Sequence, residues 1–208
     1  MAIQDTIKKF IDKKDQDYYL SLLNTELVAS KLPLEKKLEV ISKTLQVTED
    51  FKNELIKKYG KKLPTVYADL LGVSINYISE PDSYTYNYIG QFSERNKAIS
   101  INMYVYNQIL DYCKDTGLDK LVDVNLLPQV VTAHELFHFL QLSHPNTYLD
   151  EKNFETKIFG LFKVKTKLVV LEEIAAVNFS KIMTDLPYNP LVFNKIYSYA
   201  RKNNKKEK

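Results

Sequence analysis

The spacing of apolar residues predicts helices for most of the first 60 residues. Apolar side chains recur every three or four positions in two stripes, formed by Ile3, Ile7, Phe10 and Ile11 and then by Tyr18, Tyr19, Leu22, Leu23 and Leu27. Pro33 opens another helical pattern, and Thr48, which precedes two acidic residues, has the features of a further helix start that closes at Gly60. We therefore expect three or four helices here. They hold no cluster of ligand-type residues, which indicates a role in packing, regulation or partner contact.

The pattern becomes strand-like after residue 72. A short helix is predicted from Pro64, and three alternating runs rich in β-branched and aromatic residues follow it. These runs are VSINYIS (73–79), YTYNYIGQF (84–92) and AISINMYV (98–105). Turn-forming residues separate the second run from the first and the third from the second. The three runs together predict a small, mostly antiparallel sheet.

The first run also fits a DNA-binding helix-turn-helix. Ala68, Gly72 and Ile78 have the spacing of its small residue, its turn glycine and its apolar anchor. The alternation after Gly72 favours a strand instead, and the would-be recognition helix has no Lys or Arg to contact DNA. We therefore favour the strand and expect no direct nucleic-acid binding.

Helical spacing returns in the second half of the chain. It predicts helices for residues 105–116, 130–144, 168–183 and 191–199. The second and third of these are apolar on almost every side, which is typical of helices buried in a domain core. Residues 146–167 form a polar connection between them, and we expect it to serve as a flap over a cleft.

The composition indicates a soluble globular protein. The chain has 208 residues, of which 45% are hydrophobic, enough for one ordinary core. No apolar run reaches the length of a membrane span, and the first residues lack the apolar segment of a signal peptide. The lone Cys113 forms no disulfide within the chain and has no neighbouring His to activate it. A single free thiol is typical of a reducing compartment, so we expect a cytoplasmic protein.

The net charge of +3 is concentrated at the end of the chain. The last eight residues, RKNNKKEK, contain five basic groups and one acidic group. The rest of the chain is close to neutral and gives no sign of a nucleic-acid-binding face. We expect residues 201–208 to be a solvated, disordered basic tail.

The strongest chemical signal is the motif H-E-x-x-H, formed by His134, Glu135 and His138 inside the apolar helix. Histidines four positions apart lie one turn apart on the same helix face and can bind one Zn²⁺. Glu135 can then take a proton from a water that zinc activates for attack on a carbonyl. The alternative is a buried helix that merely carries His. With 3 His in the chain, a chance match is on the order of a few in a thousand, and buried imidazoles need the compensation that a metal supplies.

A catalytic zinc site needs a third protein ligand, for which there are two candidates. Glu172 and Glu173 interrupt the next apolar helix, and a carboxylate pair is costly there unless it faces a cation or water. His144 is the rival, because it follows His138 by six residues as in the H-E-x-x-H-x-x-G-x-x-H enzymes. Gln141 stands where that motif has a glycine for a sharp turn. We therefore favour the Glu pair and interpret His144 as the end of its helix.

Substrate contacts are predicted upstream and downstream of the motif. An edge strand beside the metal could pair with an extended peptide, and AISINMYV is our candidate for that strand. Tyr188, in the turn DLPYNP, could donate a hydrogen bond to an oxyanion.

The order of these elements and several local strings resemble the ImmA/IrrE-type zinc metallopeptidases. The strings are YADLLGVSINYI, AISIN, TAHELFHFL and EEIAAVNFSKIM followed by LPYNP, and the resemblance covers about residues 64–190. In that family the third ligand is a Glu followed by Ala at +3 and Phe at +6. Glu173 matches with Ala176 and Phe179, whereas Glu172 lacks the Phe.

The chain also departs from the family pattern. Phe137 stands where the family usually has Gly, and Val177 where an acidic or amide residue often follows the Ala. The HELxHxxQ-like string and EE-x-x-A are similar to other small gluzincin-type peptidases as well. The resemblance therefore indicates the clan more firmly than the family.

The motif and the resemblance together imply an α+β, zincin-like metallopeptidase domain at residues 63–200. A helical region at 1–62 precedes it, and the basic tail follows. We expect a zinc endopeptidase that cleaves an intracellular protein, since the family cleaves repressor-type regulators. In this assignment His134, His138 and Glu173 bind Zn²⁺, and Glu135 is the general base and later proton donor. The alternative is a zinc-binding regulatory protein with latent or no proteolytic activity.

Overall fold

The computed structural model describes residues 3–81, 88–151, 154–158 and 162–204. The helices in these ranges are α1 (Ile3–Ile11), α2 (Asp15–Leu23), α3 (Leu27–Ser30), α4 (Leu34–Tyr59), α5 (Pro64–Leu70), α6 (Met103–Thr116), α7 (Leu127–Ser143), α8 (Val170–Met183) and α9 (Leu191–Asn204). The strands are β1 (Ser74–Ile78), β2 (Gly90–Ser93), β3 (Ala98–Asn102), β4 (Phe154–Ile158) and β5 (Phe162–Thr166). Short 3-10 turns lie at Leu118–Lys120, Val124–Leu126 and Tyr148–Asp150. The fold is α+β, with helices predominating.

Residues 3–62 contain four helices, within the expected number. α4 is a single helix of 26 residues, so the helix start predicted at Thr48 is wrong. The Thr48 hydroxyl donates to the carbonyl of Leu45 at 2.6 Å and accepts from Asn178 Nδ2 at 2.6 Å. Because the Thr48 hydroxyl already forms both hydrogen bonds within the fold, it does not cap the start of a new helix. α4 ends at Gly60, whose φ of 73° suits glycine.

The first three strands form a mixed sheet in the order β1-β3-β2. β3 runs parallel to β1 and antiparallel to β2, so the expectation of a mostly antiparallel sheet is wrong. The choice of AISINMYV as the edge strand is also wrong, because β3 has a strand on each side. Its Ile99 and Ile101 are fully buried, as suits a central strand. β3 ends at Asn102, whose side chain accepts from Tyr104 N and starts α6.

The strand predicted after Gly72 is confirmed. β1 pairs residue by residue with β3, from Ser74 opposite Ala98 to Ile78 opposite Asn102. The segment is therefore not the second helix of a helix-turn-helix. The run predicted at 84–92 is a strand from Gly90, and its residues 84–87 lie outside the described part of the chain.

The four later helices are confirmed with shifted ends. α6 begins two residues earlier than predicted, and α7 includes Pro128 in its first turn. α9 continues to Asn204, so residues 201–204 are helical where the sequence predicts a disordered tail. Residues 205–208 lie outside the described ranges.

α8 lies at the centre of the packing. It contacts α7 on one side and α4 and α2 on the other. The Phe137 ring of α7 lies 5.7 Å from the Phe51 ring of α4 and 5.5 Å from the Phe179 ring of α8. The apolar core is continuous across residue 62, so the N-terminal helices and the rest of the chain bury one interior.

β4 and β5 pair as an antiparallel hairpin, anchored by the buried Phe154. The expected flap at 146–167 includes this hairpin, but residues 152–153 and 159–161 lie outside the described ranges. In the described part of the chain, no helix has both the length and the apolar character needed to cross a membrane.

Candidate metal centre

α7 places His134 and His138 one turn apart on the side that faces α8. Their ring centroids are 5.2 Å apart. Pro128 fits the first turn of α7, where its missing N–H is no loss, and no glycine interrupts the helix up to Ser143. The histidine pair therefore has the geometry that the sequence predicts.

α8 brings the Glu173 carboxylate to this pair. Its Oε2 lies 3.6 Å from His134 Nε2, and its Oε1 lies 3.9 Å from His138 Nε2. One ligand atom from each residue lies within 4.8 Å of the others. We call His134, His138 and Glu173 the ligand cluster. Among the described residues, it is the one set of three acidic, His or Cys side chains that are close enough to share a metal ion.

The two rival ligands lie elsewhere. Glu172 accepts a hydrogen bond from Lys167 Nζ at 2.8 Å and is not part of the cluster that includes the two histidines. His144 ends α7, where its Nδ1 lies 2.9 Å from the carbonyl of Leu140. Its Nε2 lies 3.4 Å from the carboxylate of Glu54. The structure thus brings Glu173 to the histidine pair and keeps Glu172 and His144 in other contacts.

Burial keeps both imidazoles neutral. It lowers the pKa of His134 to about 3, and repulsion from His138 acts in the same direction. Burial also lowers the pKa of His138, against the charges of Glu173 and Glu172, which raise it. Since only a neutral imidazole has a free lone pair for a metal, the pair is in its ligand form at neutral pH.

Glu135 lies against the edge strand β2. Its Oε2 accepts a hydrogen bond from the backbone N–H of Phe92 at 2.9 Å. Burial raises the pKa of Glu135 to about 7, although the Phe92 N–H lowers it, and the charge of Glu173 raises it further. A carboxyl group with a pKa close to neutral can both accept and donate a proton, which suits general acid–base chemistry.

Gly90 allows β2 to approach α7 this closely. A Cβ at Gly90 would lie 2.1 Å from Val131 Cγ1 and 3.4 Å from Glu135 Oε1. Any larger residue would push the strand away from the helix. Glycine is therefore required here by close approach of two elements, because its backbone is not in the left-handed region.

A cavity of about 490 Å³ opens beside the ligand cluster. β2, α7, α8 and the first turns of α9 form its walls. Away from the cluster its lining is mainly apolar, with Leu127, Val130, Val131, Val177, Leu191 and Phe193. Gln91, Asn194 and Tyr197 add polar groups. The cavity therefore combines a ligand cluster, a carboxyl group and an apolar recess.

The ligand cluster fits a zinc ion in its chemistry and nearly in its spacing. Two imidazoles and one carboxylate form a ligand set of catalytic zinc sites, which keep a fourth position open. Bond lengths of about 2.0–2.2 Å in a tetrahedron place ligand atoms roughly 3.4 Å apart. The observed separations are somewhat longer, at 3.6 Å and 3.9 Å to the two oxygens of Glu173, with one ligand atom from each residue within 4.8 Å of the others.

No protein-family model, curated protein or solved structure matches this chain. The residues of the site are therefore the basis for assigning a function.

Two residues that the sequence singled out do not belong to the site. The hydroxyl of Tyr188 accepts a hydrogen bond from the N–H of Asp123 at 2.9 Å, and Tyr188 is buried and is not among the residues that line the cavity, so the structure does not support its assignment as an oxyanion donor. Cys113 is fully buried, and burial raises the pKa of its thiol to about 12. An inert, protonated thiol agrees with the expectation that it is not catalytic.

Several cavity residues were not predicted from the sequence. They are Gly90 and Phe92 of β2, and Leu191, Asn194 and Tyr197 of α9. Gly90 is one of only 5 glycines, and its place inside the alternating run 84–92 was a usable signal of close backbone approach. The residues of α9 carry no such signal, because only the packing of α9 against α7 and α8 brings them to the cavity.

Proposed function

We propose that this protein is a zinc-dependent endopeptidase with a zincin-like fold, acting on a protein or peptide inside the cell. One observation carries the proposal: His134, His138 and Glu173 converge beside Glu135 at the wall of a cavity. The resemblance of the sequence to ImmA/IrrE-type peptidases supports it, and it makes a repressor-type regulator the first substrate class to test.

The residues have distinct roles in this reaction. His134, His138 and Glu173 hold the metal ion. Bound Zn²⁺ supplies a Lewis acid that polarises a carbonyl oxygen and makes water more acidic. Glu135 accepts the proton of the attacking water and later gives a proton to the amine nitrogen of the leaving peptide. The Phe92 N–H holds the Glu135 carboxyl in place at 2.9 Å.

β2 supplies the surface that aligns an extended peptide. The carbonyl of Ile89 accepts from Asn102 N at 2.9 Å, so Ile89 directs its backbone groups toward β3. Backbone groups alternate in direction along a strand, and those of Gly90 and Phe92 therefore face away from β3. The Phe92 N–H meets Glu135, which leaves the N–H and C=O of Gly90 and the C=O of Phe92 directed toward a peptide strand.

The apolar recess indicates which peptides would fit. A side chain next to the scissile bond would enter between Val131 of α7 and Val177 of α8, with Phe193 of α9 as a further wall. Burial of a Leu or Phe side chain there stabilises the complex by about 1.5–3 kcal/mol. We expect cleavage beside large apolar residues.

Metal analysis tests the proposal. Purified protein should contain about one zinc per chain, and His138→Ala and Glu173→Ala should each lose it. Glu172→Ala is the matched control. The Glu172 carboxylate is bonded to Lys167, so this variant should keep its zinc. Zinc that is absent from the unmodified protein, or retained in Glu173→Ala, would contradict the site.

Cleavage of casein and of a quenched-fluorescence peptide library tests the reaction. Glu135→Gln preserves the shape and the hydrogen bond from Phe92 but removes the proton acceptor. We expect zinc content to remain and cleavage to fall by about 10²–10⁴-fold. Zinc binding without cleavage in the unmodified protein would instead favour the regulatory alternative.

A further inference from the structure

The N-terminal helices hold α8 at three places along its length. At its start, Glu26 Oε2 accepts from the backbone N–H of Val170 at 3.1 Å. In its middle, Asn178 bonds to residues of α2 and α4. At its end, Lys181 forms an ion pair with Asp15. α8 has no side-chain cap of its own at its first turn, so the Glu26 carboxylate takes that role from a distant part of the chain.

The middle contact is a set of buried hydrogen bonds. Tyr19 OH donates to Asn178 Oδ1 at 2.9 Å, and Asn178 Nδ2 donates to Thr48 Oγ1 at 2.6 Å. We call these three residues the rear cluster. Tyr19 is 1% exposed and Asn178 is 8% exposed, so loss of a bond would leave a polar group without water to replace it.

The position of α8 decides the position of the third ligand. Both histidines stand on α7, and Glu173 is the one member of the ligand cluster that comes from another element. The Glu173 side chain is 56% exposed, so surrounding protein atoms fix its position only in part. Its distance to the imidazoles therefore depends on how α8 sits against α7. Glu173 follows Val170, where Glu26 binds, by three positions, less than one helical turn.

α2 also holds the start of α9, which forms one wall of the cavity. Asp15 Oδ1 accepts from Asn189 Nδ2 at 2.9 Å, and Asn189 Oδ1 accepts from the N–H of Leu191 at 3.1 Å. Asn189 is buried and starts α9, whose first residues line the cavity. A single side chain of α2 thus contacts both α8 and the start of α9.

We propose that the helices before residue 62 are a positioning element of the metal site, and that Tyr19 and Glu26 are positioning residues for Glu173. This inference rests on the proposed zinc site. It assigns to the N-terminal helices a structural part in metal binding, since they pack behind α8, on the side away from the ligand cluster.

The adjacent residues Tyr18 and Tyr19 provide a matched pair for the test. Both are buried tyrosines on α2, and the hydroxyl of Tyr18 donates to the carbonyl of Phe10, within the N-terminal region. Tyr19→Phe removes a bond to α8, whereas Tyr18→Phe removes one that does not reach it. Each variant loses one hydroxyl that donates a hydrogen bond.

The first readout is the binding of Co²⁺ to the metal-free protein with residues 1–208, measured through the visible absorption spectrum of the bound ion. We expect Tyr19→Phe to raise the Kd about 3- to 10-fold and to change the spectrum. Loss of a group that bonds directly to a metal ligand typically lowers metal affinity by about 10- to 100-fold, and Tyr19 acts less directly, through α8. Tyr18→Phe should stay within about twofold. Glu26→Ala should behave like Tyr19→Phe, with the exposed Glu35→Ala as its control. Equal Kd values and spectra for Tyr19→Phe and Tyr18→Phe would overturn the inference.

The second readout needs no metal. Hydrogen exchange of the α8 backbone amides in the metal-free protein should be faster in Tyr19→Phe than in Tyr18→Phe. Failure of the unmodified protein to bind Co²⁺ or Zn²⁺ would overturn the proposed function. The exchange rates would still decide whether the N-terminal helices hold α8, and equal α8 rates in the two variants would refute that part directly.

Discussion

Two polar clusters lie on different sides of α8, and their internal distances differ. In the rear cluster, Tyr19, Asn178 and Thr48 are joined by hydrogen bonds of 2.9 and 2.6 Å. In the ligand cluster, the two imidazole nitrogens lie 3.6 and 3.9 Å from the Glu173 carboxylate, which is outside hydrogen-bond range. The rear cluster satisfies its own polar groups, as structural polar clusters do. The ligand cluster keeps three ligand atoms turned toward one another, which is the arrangement that a cation stabilises.

The largest expected effect is that of the metal on stability. Zn²⁺ at about 1,000 times its Kd should raise the free energy of unfolding by about 4 kcal/mol, because a ligand that binds only the folded chain stabilises it. Chemical denaturation with Zn²⁺ and with a chelator measures this difference. In Glu173→Ala the difference should nearly vanish. The same gain in that variant would show that zinc binds somewhere other than the ligand cluster.

Variants of the rear cluster should lose stability whether or not metal is present. Asn178→Ala removes two buried hydrogen bonds and leaves a small cavity, so the free energy of unfolding should fall by about 2–4 kcal/mol even without metal. Glu173→Ala in the metal-free protein should change it by less than about 1 kcal/mol, since that carboxylate is largely exposed. Similar losses in the two variants would remove the distinction between the clusters.

Sequence spacing predicted the two histidines of the ligand cluster better than its carboxylate. The i, i+4 relation of His134 and His138 is local, and any regular helix produces it. Glu172 and Glu173 are neighbours on α8, separated by roughly 100° around the helix axis. Spacing cannot choose between neighbours of this kind, because the choice depends on how α8 packs against α7. The choice of Glu173 came from the family resemblance, and the structure places that residue beside the histidines.

The errors in the predicted fold have the same origin in long-range contacts. Thr48 was predicted to start a helix because two acidic residues follow it, whereas its hydroxyl bonds to Asn178, which lies 130 positions away. β3 looked like an edge strand, but strand order depends on pairing, and alternation along one strand does not report it. Gly90 and Phe92 lie in a predicted run, but their role depends on contacts with Val131 and Glu135 about 40 positions away, which the pattern of the run does not show.

The contact between β2 and α7 should give a smaller effect. Gly90→Ala places a methyl group against Val131, and we expect a loss of about 1–3 kcal/mol in the free energy of unfolding. Val131→Ala in the same chain should restore part of it by making room. Thermal denaturation of the two single variants and the double variant measures the coupling. Additive losses would show that the two residues do not meet.

The smallest effect is expected at His144. His144→Ala should leave zinc content unchanged and lower the free energy of unfolding by less than about 1 kcal/mol, because its contact with Glu54 is exposed. Metal analysis and denaturation of one preparation give both values. Loss of zinc in this variant would restore His144 as a candidate ligand.

The bond between Tyr19 and Asn178 joins residues 159 positions apart. During synthesis, α2, α4 and α7 leave the ribosome before α8, so the nascent chain has both histidines while the third ligand and the partner of Tyr19 are still missing. Contacts of such long range form late in folding. A growing chain that bears only the histidine pair thus lacks the third member of the ligand cluster until α8 has been made and docks against α7.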